Sequence, residues 1–152
     1  MDKYKIALTG IPNVGKSTIF NTLTKSNQHT GNWSGKTVDN TYKSYKYNNN
    51  IYEVYDLPGT YSLSTNSKEE EIAKEFIVSN NVDITIVICN AVSLKRSLNL
   101  VLQILDITSN VIVVVNLIDE ANKKGINIDI NKLSNILKVP VISTSATYNK
   151  GI

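Results

Sequence analysis

Gly10-Ile11-Pro12-Asn13-Val14-Gly15-Lys16-Ser17 is the stretch of sequence that decides the fold. Its spacing of glycine, lysine and serine is that of a phosphate-binding loop. Residues 5–9, before it, form a short apolar run that predicts a buried strand, and residues 17–24, after it, carry apolar positions at helical spacing. Glycine lets the backbone curl so that several N–H groups point at one phosphate, and the following helix adds its positive N-terminal end. The residues expected to contact a nucleotide here are Gly10, Asn13, Val14, Gly15, Lys16, Ser17 and Thr18, with Lys16 on the β- and γ-phosphates and Ser17 on Mg²⁺.

Length and composition indicate one ordinary globular domain. The chain has 152 residues and a net charge of +3, and 41% of its residues are hydrophobic. No basic run with interleaved aromatic residues is present, so nucleic-acid binding is not expected. The single cysteine, Cys89, lies in an apolar run and predicts a buried structural thiol in a reducing compartment. No apolar run approaches the length needed to cross a bilayer and no signal peptide is visible, so we expect a soluble segment.

Strand and helix patterns alternate along the chain, which predicts an α/β fold. We expect a mainly parallel sheet of about six strands with helices on both faces. Residues 38–47 and 51–57 are expected to form an antiparallel hairpin at one edge, and residues 28–36 a loop. The remaining strands are predicted at 84–89, 111–115 and 139–142, and the remaining helices at 69–79, 94–105 and 130–137. No helix follows the last strand to cover one face of the sheet, so residues 1–152 are interpreted as one domain of a longer protein.

Asp56-Leu57-Pro58-Gly59 follows the second strand after the phosphate-binding loop. A carboxylate at this position can hold a water on Mg²⁺, and a glycine N–H three residues later can bond a γ-phosphate and move when that phosphate leaves. The pattern alone is also compatible with a simple Pro-Gly turn. Its position at a strand end favours the nucleotide-site interpretation, because ligands bind beyond the carboxyl ends of parallel strands.

Two further segments predict that the base is guanine. Asn116-Leu117-Ile118-Asp119 matches the N-[KT]-x-D pattern except at its second position. The carboxylate of Asp119 can accept two hydrogen bonds from guanine, and adenine lacks that pair of donors. Ser145-Ala146, after the last strand, is similar to a loop whose backbone N–H contacts guanine O6. Together with the phosphate-binding loop, these segments predict a GTP/GDP site.

Longer segments of the chain resemble one particular family. Gly31-Asn32-Trp33-Ser34-Gly35-Lys36-Thr37-Val38 is similar to the G-N-W-P-G-V-T-V segment of FeoB, the bacterial ferrous-iron transporter. The segment at 56–64 resembles its D-L-P-G-T-Y-S-L, and residues 94–98 resemble its L-E-R-N-L. The resemblance covers the whole chain and implies the N-terminal cytosolic GTPase domain of that family. A small helical domain and a membrane-spanning permease would follow in the same polypeptide.

The resemblance also implies a mechanism. Thr37 would be the second Mg²⁺-ligating hydroxyl and, with Gly59, would clamp the γ-phosphate. Lys16, Asn13, Thr37 and Gly59 are the residues assigned to catalysis. Thr60 stands where Ras-like enzymes carry a water-orienting Gln, so slow hydrolysis is expected. Asn13 would help to bind K⁺, with Gly31 and Trp33 supplying backbone carbonyls, in the place where an arginine finger puts its charge.

Three functions stay open on the sequence alone. The first is a slow, Mg²⁺-dependent and K⁺-stimulated GTPase that regulates ferrous-iron uptake at the cytoplasmic face of the bacterial membrane. The second is a soluble GTPase of ribosome or tRNA biology, and the third is a GTP-binding switch with negligible catalysis. The partners expected are guanine nucleotide and the downstream domains of the same chain. Self-association into a homo-oligomer is left open.

Overall fold

A computed structural model describes residues 1–24, 29–32, 41–64, 66–79, 81–148 and 150–152. Twelve helices and strands follow one another in these ranges, together with two short 3-10 turns at 91–93 and 146–148. The strands are β1 (Lys3–Gly10), β2 (His29–Asn32), β3 (Thr41–Tyr47), β4 (Asn50–Asp56), β5 (Ile84–Asn90), β6 (Val111–Asn116) and β7 (Val141–Ser143). The helices are α1 (Lys16–Leu23), α2 (Lys68–Ser79), α3 (Leu94–Leu105), α4 (Ile118–Lys123) and α5 (Ile130–Leu137).

All seven strands form one mixed sheet in the order β2-β3-β4-β1-β5-β6-β7. The β4-β1, β1-β5, β5-β6 and β6-β7 pairs are parallel. The β2-β3 and β3-β4 pairs are antiparallel. The predicted α/β class with a mainly parallel sheet is confirmed. Because β1 lies in the middle, the phosphate-binding loop leaves the sheet at its centre.

The predicted hairpin forms, but two details of this region differ from expectation. Strand β2 lies within the segment predicted as a loop, and it pairs with β3, so the outer edge belongs to β2. The β3-β4 hairpin is joined to the parallel part of the sheet through β4. The short polar run His29-Thr30-Gly31-Asn32 has no apolar alternation that could have indicated a strand. These residues form a strand because their backbone pairs with β3, and the pattern of side chains in the sequence does not indicate this pairing.

One face of the central strands is fully covered. Ala7, Val87, Val113 and Thr85 are at most 1% exposed on this face. Helix α3 packs on β5 and β6, and α2 packs on β1. The opposite face is more open, since Ile142 of β7 is 43% exposed there.

The apolar residues of helix α3 contact the core, with one exception. Val101 is completely buried, and Leu94, Leu98 and Leu105 are partly buried against the core. Leu102 is 55% exposed, while Ser97, Leu100 and Ile104 are buried as well. The helix carries leucine or isoleucine on more than one side, so periodicity alone could not decide which side contacts the sheet. The last strand also differs, since it spans Val141–Ser143 instead of 139–142.

The expectation that Cys89 is buried is confirmed. Its thiol is completely buried within β5, and burial raises its pKa to about 12. A thiol with this pKa stays protonated at neutral pH, so it is a structural residue and not a nucleophile.

Candidate functional site: a cleft at the carboxyl ends of the central strands

The phosphate-binding loop joins β1 to α1 in a conformation that requires its glycines. Gly15 has a φ of 85°, and a Cβ there would collide with the side-chain nitrogen of Asn116. A Cβ on Gly10 would lie 2.8 Å from the carbonyl oxygen of Ile88. Asn13, with a φ of 66°, also adopts the left-handed region. The loop therefore curls tightly against β5 and β6, as a phosphate cradle must.

A cleft of about 430 Å³ opens above this loop. Asn13 and Ser17 are exposed to it, and Lys16 is partly buried. Gly59 reaches the cleft from the segment after β4. The residues that line the cleft are Ile11, Pro12, Asn13, Gly15, Lys16, Ser17 and Gly59. The structure thus brings Gly59 to the phosphate-binding loop, as the sequence predicted for these two segments.

Lys16, which lines the cleft, forms an ion pair with Asp56. The Lys16 ammonium donates to the Asp56 carboxylate, and the two side chains are 14% and 22% exposed. The Ser17 hydroxyl is on the next residue of α1. Hydroxyl and carboxylate oxygens are the ligands that Mg²⁺ prefers, so Ser17 and Asp56 form a donor set that fits this ion.

The segment after Asp56 runs along β1 and then crosses the loop. Leu57 N–H donates to the carbonyl of Leu8 over 3.0 Å, and Thr60 N–H donates to the carbonyl of Gly10 over 3.1 Å. Leu57 is 1% exposed, so it anchors the segment in the core. Thr60 is 3% exposed, and its side chain does not line the cleft. These contacts hold Gly59 at the cleft wall, between the buried Leu57 and the buried Thr60.

Asn116 connects the phosphate-binding loop to the segments predicted to read the base. Its side chain is 1% exposed. The amide nitrogen donates to the carbonyl of Val14 over 3.0 Å. The amide oxygen accepts from the Thr144 hydroxyl over 2.9 Å and from Ala146 N–H over 3.1 Å. A single buried amide therefore joins the end of β6 to the phosphate-binding loop and to the segment after β7.

Asp119 lies in the first turn of α4, which begins directly after Leu117. Ser145 Oγ donates to the Asp119 carboxylate over 2.6 Å. This hydrogen bond, more than any other contact, lowers the pKa of Asp119 below its ordinary value. The carboxylate therefore stays ionised at neutral pH, and one of its oxygens is oriented by protein before any ligand arrives.

Most of the predicted site residues converge, and some lie elsewhere or outside the described residues. The loop residues, Asp56 and Gly59 meet at one end of the site, and Asn116, Asp119, Ser145 and Ala146 meet at the other. Thr18 is exposed in the first turn of α1. Gly31 pairs with Tyr42 in the backbone ladder of β2 and β3. Thr37 and Trp33 lie outside the described residues.

Thr144 is a site residue that the sequence analysis missed. It is 2% exposed, and its N–H donates to the carbonyl of Val115 while its hydroxyl holds Asn116. A hydroxyl residue directly after a predicted strand, next to Ser145, was the available signal. The role of Thr144 depends on where Asn116 points, which the sequence does not reveal.

The sheet order, the phosphate-binding loop after β1 and the Asn116 and Asp119 segment after β6 define a G domain of the P-loop GTPase class. The family model described as ferrous iron transport protein B matches residues 4–152. The chain therefore belongs to the FeoB family, through its N-terminal domain.

Individual proteins agree with this assignment. The Fe(2+) transporter FeoB of Campylobacter jejuni is 41% identical over 152 residues, which are 100% of this chain and 25% of that protein. The G domain of FeoB from Methanococcus jannaschii has a TM-score of 0.88 at 41% identity, covering 99% of this chain and 91% of that one. The cytosolic domain of T. maritima FeoB in its GMPPNP form has a TM-score of 0.90 at 39% identity, covering 97% and 59%.

The chain spans about a quarter of the length of the C. jejuni transporter that it matches. No helix in the described part of the chain is long and apolar enough to cross a membrane.

Proposed function

We propose that this domain binds GTP with Mg²⁺ and hydrolyses it slowly to GDP and phosphate. The observation that carries this proposal is the hydrogen bond from Asn116 to Val14, because it joins the predicted phosphate-binding loop to the segment that carries Asp119. Related structures support it: the cytosolic domain of T. maritima FeoB was solved in GDP and GMPPNP forms.

Each side chain has a distinct task in this proposal. Lys16 would exchange its bond with Asp56 for the β- and γ-phosphates, and the Ser17 hydroxyl would ligate Mg²⁺. Asp56, once released, would accept from a water on that ion, and Gly59 N–H would bond the γ-phosphate. Mg²⁺, when bound, neutralises charge on the phosphates. Thr37 is proposed as a second hydroxyl ligand of the ion and as part of the γ-phosphate clamp.

Guanine selectivity would come from Asp119, Ser145 and Ala146. The carboxylate of Asp119 would accept from the N1–H and exocyclic amine of guanine, and Ala146 N–H or its neighbours would face O6. Adenine presents an acceptor where guanine has N1–H, so it would leave the carboxylate unpaired.

Slow hydrolysis is expected because Thr60 cannot replace a water-orienting glutamine. Its side chain is 3% exposed and does not line the cleft. K⁺ would supply the positive charge that an arginine finger provides in other GTPases, and Asn13 would help to hold this ion. Asn13 lines the cleft, is exposed and has a φ of 66°. Backbone carbonyls near Gly31 and Trp33 are proposed to complete that site.

In the whole protein, the domain would regulate ferrous-iron uptake from the cytoplasmic face of the membrane. The family's description and the length of its members support this role. Helical and transmembrane domains would follow in the same polypeptide, and the transmembrane part would carry the iron. The family assignment argues against the alternative of a soluble GTPase of ribosome or tRNA biology.

The test is GTP turnover in KCl and in NaCl at equal ionic strength, with circular dichroism to verify folding. We expect multiple turnovers and a clear K⁺ stimulation that Asn13→Ala abolishes. Asn99→Ala is the matched control, because Asn99 is exposed on α3 away from the cleft. Equal rates in both salts would remove the K⁺ site and keep the GTPase.

A binding switch with negligible catalysis is the second candidate, and the burial of Thr60 is the observation that favours it. Nucleotide binding without phosphate release over many equivalents of GTP would select this alternative. Absence of guanine-nucleotide binding would refute both.

A further inference from the structure

The segment that follows Gly59 is attached to helix α3 at two points. The guanidinium carbon of Arg96 lies 4.6 Å from the centre of the Tyr61 ring, in a cation–π contact. Two turns further along α3, the side-chain oxygen of Gln103 accepts from Leu63 N–H. The Leu63 side chain is 5% exposed and adds an anchor in the core.

Helix α3 is a firm support for these contacts. Leu100, Val101 and Ile104 are 0% exposed against the sheet. Arg96 and Gln103 lie outside that buried set, seven residues apart, so they lie along one side of the helix. Any movement of residues 61–63 must break one contact or the other, because the helix itself cannot follow.

The opposite end of the segment is attached to the phosphate-binding loop. Thr60 N–H donates to the carbonyl of Gly10 over 3.1 Å. Gly59 packs on Pro12, since a Cβ on Gly59 would lie 3.5 Å from the Pro12 Cα. Residues 59–63 therefore span the distance between the cleft and α3, held at both ends.

We propose that Arg96 and Gln103 are positioning residues for the γ-phosphate site, acting through Tyr61 and Leu63 on the N–H of Gly59. This inference rests on the proposed GTP-binding function and adds to it the residues that influence the ratio of GTP affinity to GDP affinity. In the proposed site, Gly59 N–H bonds only the γ-phosphate, which GDP lacks. The position of residues 59–63 should therefore change the affinity for GTP and not the affinity for GDP. The two contacts hold Gly59 at the cleft before nucleotide arrives and reduce the cost of ordering it.

The test is the ratio of affinities for GMPPNP and GDP, both in Mg²⁺, for variants that keep the fold. Arg96→Met removes the cation but keeps a long side chain, and Tyr61→Leu removes the ring. We expect each to weaken GMPPNP relative to GDP by about two- to fivefold, the size of an exposed cation–π contact. The double variant should lose no more than either single variant, because both remove the same contact.

Gln103→Leu removes the acceptor for Leu63 N–H and should lower the same ratio by roughly three- to tenfold. Two controls keep the experiment specific. Lys95→Met changes the exposed cation next to Arg96 and should leave the ratio unchanged, and Tyr61→Phe keeps the ring and should behave as the parent chain.

The outcomes separate this inference from the proposed function. If neither nucleotide binds the parent chain, the proposed function fails. If both bind and the ratio is the same in Arg96→Met, Tyr61→Leu and Gln103→Leu, the positioning role is wrong. A ratio that rises would also overturn it, because the contacts would then hold Gly59 away from the γ-phosphate.

Discussion

The two ends of the candidate site, the predicted base end and the predicted phosphate end, are built in different ways. At the base end, Asn116 is bonded to Val14, Thr144 and Ala146, and Asp119 is bonded to Ser145. All of these partners belong to the protein, and none needs to be released for guanine to enter. At the phosphate end, Lys16 and Asp56 are bonded to each other. These are the two side chains that the proposed chemistry directs to a phosphate and to a water on Mg²⁺.

The difference indicates which part of nucleotide binding needs rearrangement. The base end is organised in advance, so it can select guanine at little cost. The phosphate end must exchange one ion pair for contacts with phosphates and metal, and both charges are partly buried. Phosphate affinity should therefore depend on Mg²⁺, while base selectivity should not.

Among the substitutions considered, those at Asp119 should have the largest effect on nucleotide affinity. Asp119→Ala removes two charge-assisted hydrogen bonds to guanine, so we expect GDP affinity to fall on the order of 10²–10⁴-fold. Asp119→Asn should bind xanthosine diphosphate better than GDP, because the amide NH₂ matches the additional base oxygen. Calorimetric titration with both nucleotides measures this. GDP binding that survives in Asp119→Ala would show that the base end does not read the base.

Asn116→Ala should damage both ends of the site and the fold. It removes the bond to Val14 and leaves the Thr144 hydroxyl and Ala146 N–H buried without their acceptor. At about 1–3 kcal/mol for a buried group left unpaired, the free energy of unfolding should fall by roughly 2–4 kcal/mol. Thermal melting checks this, with the exposed Asn99→Ala as control. A melting temperature equal to that of the control would contradict a bridging role for this amide.

Asp56→Asn should separate the phosphate end from the base end. It frees Lys16 and removes a carboxylate near the phosphates, so GDP should bind about tenfold more tightly in EDTA. The gain in affinity on adding Mg²⁺ should shrink, because the water-holding carboxylate is lost. Fluorescent GDP displacement in EDTA and in Mg²⁺ measures both quantities.

Glu53→Gln is the matched control for Asp56→Asn. It breaks the Lys3–Glu53 ion pair of 2.7 Å in the middle of β4 and should leave the Mg²⁺ dependence unchanged. An equal shift in the two variants would mean that general charge, not the Lys16–Asp56 pair, controls phosphate binding.

Ser145→Ala should have the smallest effect on GDP affinity. Its effect should be visible as a change in how GDP affinity depends on pH. Its hydrogen bond lowers the pKa of Asp119 below the ordinary 3.8. The bond therefore stabilises the folded chain above about pH 3.8, and this stabilisation is lost as the pH falls through the lowered pKa. In the variant, the pKa of Asp119 rises, so GDP affinity should begin to fall at a higher pH and be a few-fold weaker at pH 7. If GDP affinity has the same pH profile in Ser145→Ala as in the parent chain, the hydrogen bond from Ser145 does not control the pKa of Asp119.

Much of this site could be predicted from the sequence because its parts are local. The curl of Gly10 to Ser17 depends on glycines within the stretch itself, and Asp56 and Asn116 each stand at the end of a recognisable strand. Local pattern was insufficient at β2, whose four polar residues pair with β3 in the backbone ladder. It was also insufficient at α3, where Leu100 and Leu102 are equally apolar and only the sheet buries one and exposes the other.

By itself, the sequence determined the class of fold, the phosphate-binding loop, the order of the site segments and the resemblance to FeoB. These follow from spacing, backbone freedom and hydrophobic periodicity, which act over a few residues. Only the tertiary structure decided that Lys16 pairs with Asp56 and that the Asn116 amide joins the phosphate-binding loop to the segment after β7. It also decided that Arg96 and Gln103 of α3 contact the segment after Gly59. Each of these contacts joins residues that are distant in sequence, and their side-chain directions are settled by packing against the sheet.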